Sequence, residues 1–394
     1  MKKLAIITTH PIQYYAPLFG LLSQRNKVLL KVFYTWGEHA KRKVFDPGFG
    51  TEREWDIPLL DGYDYEFVEN ISTAPGSSHF NGIINPGLIE KIKDFGADAI
   101  LVFGWAFYSH LKVMRYFRGK IPVYFRGDST LLDEPVGFSI KKILRRVFLT
   151  WVYRHIDLAF YVGTNNKAYY KAHGVQNERL LYAPHAIDND RFVDLHGVYT
   201  QQANDWKRNL NIPQNKLTVL FAGKLEPKKN PLFMVEAAKA LPQMHFVIIG
   251  NGKLENAIKQ AAANVINLTI LPFQNQSIMP VVCRLADIFV LPSQGPGETW
   301  GLAMNEAMAC GKVVVASEKC GGAIDLIKNG ENGYIIHPKA NDFIEALKSL
   351  LHSPSIIAHG SKISLNHIKS FTFTHIVEAI EKVTYSTQTK IYNR

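Results

Sequence analysis

Two groups of charged residues in this 394-residue chain are spaced so that they could handle a phosphorylated substrate. Glu298 and Glu306 lie eight positions apart in VLPSQGPGETWGLAMNEAMACGKVVVA, residues 290–316. That run reads as a strand ending at Pro292, a Gly/Pro-rich turn, a helix over 299–309 and a new strand from Val313. A helix opening just behind such a turn offers unpaired N–H groups and a positive dipole end, which together seat a phosphate. On a continuous helix the two carboxylates would stand roughly 12 Å apart along the axis, about the span of a sugar plus a ribose-diphosphate. The second group is FAGKLEPKKNP, residues 221–231. Here Gly223 permits close backbone approach, and Lys224 and Lys229 project from one loop toward the same side. Such a pair could neutralise a departing diphosphate. Taken singly, each residue also has a plain reading: a capping acid, an ordinary helix glutamate, two solvated lysines.

Both groups follow apolar strands, so the elements that position them come next. In the first half the strand candidates are 4–8, 28–34, 99–103, 123–125, 158–162 and 179–182, with helical stretches between most of them. Residues 188–215 turn polar and lose periodicity, which marks a connection. A second series follows at 217–222, 246–249, 266–271, 288–291 and 313–316. Strands this hydrophobic, alternating with helices, imply parallel sheets covered on both faces. The expected fold is therefore α/β: two doubly wound domains facing across a cleft, at 1–190 and 216–372, joined by a linker at 191–215, with a C-terminal helix from about 373 packing back on the first. Ligands in such sheets sit at the carboxyl ends of the strands. One helix, over 139–154, carries Ile140, Ile143, Leu144, Val147, Phe148 and Trp151 at i, i+3, i+4 spacing, which predicts one buried stripe with Lys141, Lys142, Arg145 and Arg146 facing solvent, or else a stripe that rests on an anionic bilayer beside those cations.

Together the two charged segments resemble the retaining, nucleotide-sugar-dependent glycosyltransferases of family 4, which have the GT-B fold. The family's Glu-x7-Glu stretch, EGFGLVxLEAMAxGxPVIA, is matched by Glu298, Gly301, Leu302, Glu306, Ala307, Met308, Ala309 and Gly311. Its GRLxxxKG-like loop is matched by Gly223, Lys224, Leu225 and Lys229, with Lys224 replacing the usual arginine. IGNGKLE, LADIFVLPS, GGAIDLIKNGENGYII and APHAIDNDRF fall in the family's order. The resemblance implies that Glu306 holds ribose hydroxyls and Glu298 contacts the donor sugar. Lys224 and Lys229 would bind the diphosphate, helped by backbone N–H groups of Thr299, Trp300, Gly301 and Leu302, and the base would lie near Leu271 and Phe273. A nucleoside-diphosphate sugar, most simply a UDP-sugar, would donate to a hydroxyl of a glycan or glycolipid, with retention, at a front face where the leaving phosphate takes the acceptor's proton. No cofactor and no metal are implied.

The first half departs from that family. After its first strand the chain has His10, Pro11 and Gln13 rather than a glycine-rich turn. His10 is expected to touch donor phosphate or acceptor, and Gln13 the acceptor. In place of a family histidine the chain reads PVYFRGDS, which makes Asp128 an acceptor contact with a catalytic role and Arg126 a contact to phosphate or an acidic sugar, or else leaves the two as a pair that fixes the loop. Gly250 and Gly252 imitate a dinucleotide fingerprint, but Glu255 stands where its third glycine belongs. Asp188 and Asp190 imitate a metal-binding DxD within a structural turn. Cys283, Cys310 and Cys320 form no CxxC and suit a reducing compartment. No apolar run approaches the ~18 residues of a membrane span. The expected location is thus the cytoplasm, with peripheral contact at an anionic inner membrane face. The net charge of +11 calls for anionic partners. It divides evenly between the halves, but residues 112–155 hold ten Lys and Arg against three acids. No nucleic-acid-binding module is recognisable. Two other readings are a nucleotide-sugar epimerase on the same fold and a non-catalytic polyanion- or membrane-binding protein.

Overall fold

The computed structural model describes residues 1–37, 44–46, 51–53, 55–135 and 137–386. They form two compact units: residues 1–44, 58–184 and 373 onward, and residues 45–57 with 185–372.

The apolar runs become strands with both faces covered. In the first unit these are β1 (Lys2–Thr8), β2 (Val28–Tyr34), β5 (Tyr65–Phe67), β6 (Ala99–Phe103), β7 (Val123–Arg126), β8 (Leu158–Tyr161) and β9 (Leu180–Tyr182), while β3 (Val44–Asp46) and β4 (Thr51–Arg53) form a separate two-stranded sheet. The seven-stranded sheet runs β5-β2-β1-β6-β7-β8-β9, and its pairs are parallel. Continuous burial of Leu4, Ala5, Ile6 and Ile7 and of Ile100, Leu101 and Val102 explains why these strands show no alternation. The C-terminal helix Phe373–Ser386 packs in this unit, where Glu381 accepts two hydrogen bonds from Arg25, at 2.8 and 2.9 Å.

The second unit has β10 (Thr218–Ala222), β11 (His245–Ile249), β12 (Leu268–Leu271), β13 (Ile288–Leu291), β14 (Val313–Ser317) and β15 (Gly333–Ile336), ordered β12-β11-β10-β13-β14-β15, all parallel. The chain winds outward from β10 through β11 to β12, then returns to β13 on β10's other side. That reversal creates a switch point between β10 and β13, where open α/β sheets bind ligands. The first sheet has the same feature between β1 and β6.

Three expectations need correction. The polar stretch read as a connection without periodicity contains the helix Val198–Asn209; its buried positions Ala203 and Lys207 are one turn apart, too sparse a stripe for apolar periodicity to reveal. The helix expected over 299–309 begins only at Leu302, because Gly301 takes φ +94° and breaks the helical path. Glu298 therefore lies in the loop, so the helical rise that set the distance to Glu306 does not apply. The third concerns the helix Ile140–Tyr153: the side it buries is Leu149, Val152 and Tyr153, and the apolar stripe is exposed.

Candidate active site

The site is built from the loops at the carboxyl ends of the second sheet. The loop after β10 is laced to the loop after β11: Gly223 donates to Ile249, Leu225 to Asn251, and Leu254 back to Leu225, each at 2.9 Å. A Cβ on Gly250 would fall 1.9 Å from the Gly223 carbonyl oxygen, and one on Gly252 2.6 Å from that of Leu225. Backbone-to-backbone packing thus accounts for both glycines of the apparent fingerprint. Asn251 ties in the third loop, its Oδ1 accepting the Phe273 N–H at 2.7 Å.

Across the switch point, the loop after β13 is fastened to the first by Gln294, whose backbone N–H donates to the Lys228 carbonyl at 2.8 Å and whose Nε2 donates to that of Pro227 at 2.9 Å. These contacts bring Lys229 and Glu298 together. Lys229 Nζ donates to Glu298 Oε2 at 2.8 Å, and the fully buried Ser293 hydroxyl donates to the same oxygen at 3.1 Å. The carboxylate of Glu298 is only 9% exposed and the Lys229 side chain 18%. Burial works against the Lys229 ammonium, but the adjacent carboxylate outweighs it and holds its pKa above the ordinary lysine value. Backbone contacts complete the frame: Gly321 donates to the Glu298 carbonyl at 3.0 Å and Gly322 to that of Trp300 at 2.9 Å.

Lys224 lies half-buried in the loop after β10, and Thr299 and Leu302 are likewise half-buried. Gly301 is buried where a Cβ would meet Leu291 Cδ2 at 2.7 Å. Glu306, on the helix Leu302–Ala309, is 2% exposed. Trp300, whose backbone N–H is expected among the donor contacts, has its side chain packed inward: 3% exposed, with its Nε1 donating to Asn305 Oδ1 at 2.8 Å and its ring near His185 and Phe371, at 5.6 and 6.2 Å. The indole thus holds the loop in place, and any contact to the donor is left to the backbone N–H. The family-like pattern has Phe and Leu where this chain has Trp300 and Asn305, and the two changes explain each other, since a buried indole N–H needs an acceptor. Where the base is expected, the Leu271 carbonyl accepts from Gly250 at 3.1 Å and the Phe273 N–H donates to Asn251. Beside the Phe273 ring stands Trp55, edge-on with centroids 6.4 Å apart.

Sequence reasoning missed Ser293, Asn305 and Trp55. Ser293 ends the LPS turn, and its position after a buried strand was the available signal. Trp55 carried none, because residues 45–57 join the second unit from within the first half of the chain.

In the first unit, His10 follows β1 at that sheet's switch point. Its Nδ1 lies 3.0 Å from Thr9 Oγ1, its ring meets Trp36 edge-on at 5.4 Å, and burial lowers its pKa. Gln13 is half-buried in the same loop, and Asp128 is half-buried after β7. Arg126 is corrected: 2% exposed, it donates to the carbonyls of Ala183 and Pro184 at 2.8 and 2.9 Å, so it fixes the chain beyond β9 and is not placed to meet an acceptor. Among the described residues, no cluster of three His, Cys, Asp or Glu side chains could hold a metal.

Residues 202–365 match the family model of Glycosyl transferases group 1. The crystal structure of Anabaena Alr3699/HepE in complex with UDP and glucose superposes with a TM-score of 0.71 at 18% identity, covering 98% of this chain and 100% of that one. WaaG, a glycosyltransferase involved in lipopolysaccharide biosynthesis, gives 0.66 at 14%, covering 97% and 99%. The fold is GT-B. By sequence, the GT-B chain is 31% identical over 180 residues to an Escherichia coli UDP-Gal:alpha-D-GlcNAc-diphosphoundecaprenol alpha-1,3-galactosyltransferase, covering 43% of this chain and 44% of that one. It is 30% identical over 170 residues to a D-inositol 3-phosphate glycosyltransferase of Mycolicibacterium gilvum, covering 41% and 38%. The chain thus spans less than half the length of these relatives.

Proposed function

We propose that this protein is a retaining glycosyltransferase of the family 4 type that moves a sugar from a UDP-sugar to a hydroxyl of a glycan or lipid-linked glycan, in cell-surface polysaccharide synthesis on the cytoplasmic side of a membrane. The observation that carries the reading is the buried Lys229–Glu298 pair at the switch point of the second sheet, beside a helix start. The HepE complexes with UDP and UDP-glucose and the named donor of the Escherichia coli relative support a UDP-sugar.

In this mechanism Glu306 holds the ribose, and Trp55 and Phe273 frame the base. Lys224, Lys229 and the first-turn N–H groups of the Leu302–Ala309 helix take up the charge that develops on the diphosphate as the glycosyl–oxygen bond breaks. Glu298, oriented by Lys229 and Ser293, contacts the sugar. The acceptor hydroxyl attacks from the face the diphosphate leaves, and the leaving phosphate oxygen takes its proton. The first unit supplies the acceptor contacts, with Asp128, His10 and Gln13 as candidates. Neither cofactor nor metal enters this scheme.

The test is a panel of UDP-, GDP- and ADP-sugars, with release of nucleoside diphosphate measured with and without EDTA. Release from a UDP-sugar that EDTA leaves unchanged supports the reading. Release from none removes it, and loss with EDTA restored by Mn²⁺ removes the metal-free scheme. Where a glycoside forms, NMR of its anomeric centre must show retention.

A further inference from the structure

The helix Ile140–Tyr153 is amphipathic with its apolar side turned outward. Ile140, Ile143, Leu144, Val147, Phe148 and Trp151 are between 37% and 67% exposed, and Phe138, just ahead of the helix, is 86% exposed. At 100° per residue these six span one stripe about 140° wide, opposite the face that buries Leu149, Val152 and Tyr153. Other exposed large apolar residues in the first unit are scattered along the chain, as soluble surfaces normally allow. Seven within residues 138–151 form a patch that water does not favour.

Charge decides what covers it. Lys142 and Arg146 turn aside to Glu134, at 3.3 and 3.1 Å. Lys141 and Arg145 are exposed along one edge of the stripe. The neighbouring helix Tyr108–Phe117 adds the exposed Lys112 and Arg115, whose guanidinium lies 5.5 Å from the Trp151 ring centroid. An apolar stripe edged by lysine and arginine and carrying a tryptophan is the pattern that lies in the interface of a bilayer: the side chains enter the acyl boundary while the cations meet lipid phosphates.

We infer that this helix docks the protein on a membrane surface rich in anionic phospholipid. The inference is independent of the transferase reading, because it concerns the first unit's surface and is measured without substrate. Among the described residues no helix is long and apolar enough to cross a membrane, so contact through this stripe is peripheral.

The test is flotation of the full chain with vesicles of phosphatidylcholine alone and of phosphatidylcholine with about 30% phosphatidylglycerol, a content that gives the surface a negative potential. Binding to the mixed vesicles that high salt weakens is expected, with little binding to the neutral ones. At roughly five-fold per cation near the surface, Lys141→Gln with Arg145→Gln lowers partitioning about 25-fold. Leu144→Glu with Val147→Glu abolishes it, with circular dichroism and melting temperature unchanged because both side chains are exposed. Absence of binding to mixed vesicles overturns the inference, as does equal binding to both kinds. So does a dimer by sedimentation that the Leu144→Glu, Val147→Glu variant dissolves, since the patch would then be an interface between copies.

Discussion

Removing one partner of the Lys229–Glu298 pair puts the site's design under direct strain. At 2.8 Å the two charges attract by roughly 6 kcal/mol with an effective dielectric constant of about 20. Their desolvation offsets several kcal/mol for each ion. The pair therefore contributes little net stability as a unit, yet breaking it leaves a buried charge unmatched, which costs about 3–5 kcal/mol. Glu298→Gln and Lys229→Met should each show that loss, while the double variant, with neither charge, should recover at least about 2 kcal/mol of their sum. Because the protein has two units, global unfolding is a poor gauge. Hydrogen exchange of peptides covering residues 218–231 and 288–309 measures opening where the pair sits. The coupling should also depend on pH in one direction: Lys229 is held above the ordinary lysine value, so its contribution is complete below that value and is lost as pH rises through the folded pKa. Single losses that simply add within about 0.5 kcal/mol in the double variant would refute the coupling.

Two further predictions concern the first unit. Arg126→Met should lower its stability by about 1–3 kcal/mol, because two buried carbonyls lose their donor, while the KM for donor is unchanged; a raised donor KM with full stability would return Arg126 to the substrate site. His110 is fully buried, with Nδ1 2.9 Å from the Gly104 carbonyl and Nε2 2.8 Å from the Thr35 hydroxyl, and burial pushes its pKa down to about 4. The unfolded chain then binds the extra proton first, so stability falls as pH drops from about 6.5 toward 4, by roughly 3 kcal/mol from this residue. Hydrogen exchange of peptides covering residues 99–117, corrected for the intrinsic pH dependence, should show a shallower fall in His110→Gln, and an unchanged slope would contradict the assignment.

The strands were legible because runs buried on both faces, such as Ile288, Phe289, Val290 and Leu291, leave an unmistakable apolar signal. So was the convergence of Gly223, Lys229 and Glu298, since loops after parallel strands gather at one edge of the sheet. Two features were hidden by the same limit: spacing shows that a face exists without showing where it points. The stripe on Ile140–Tyr153 reads by periodicity equally as core or as a bilayer-facing side, and the structure buries Leu149, Val152 and Tyr153 instead. Arg126 in FRGD reads as a ligand for anions, and its two carbonyl partners lie 57 and 58 residues later. Trp55 reaches the second unit through a chain excursion that no local pattern announces.

The central claim is that the second unit binds a nucleoside diphosphate through its switch-point loops and Glu306. Isothermal titration of the full chain with UDP, GDP and ADP tests it without requiring knowledge of the sugar or the acceptor. The account predicts a heat of binding for UDP that exceeds those for the other two and is lost in Glu306→Ala. No binding of any of the three, or UDP binding that Glu306→Ala leaves intact, would contradict it.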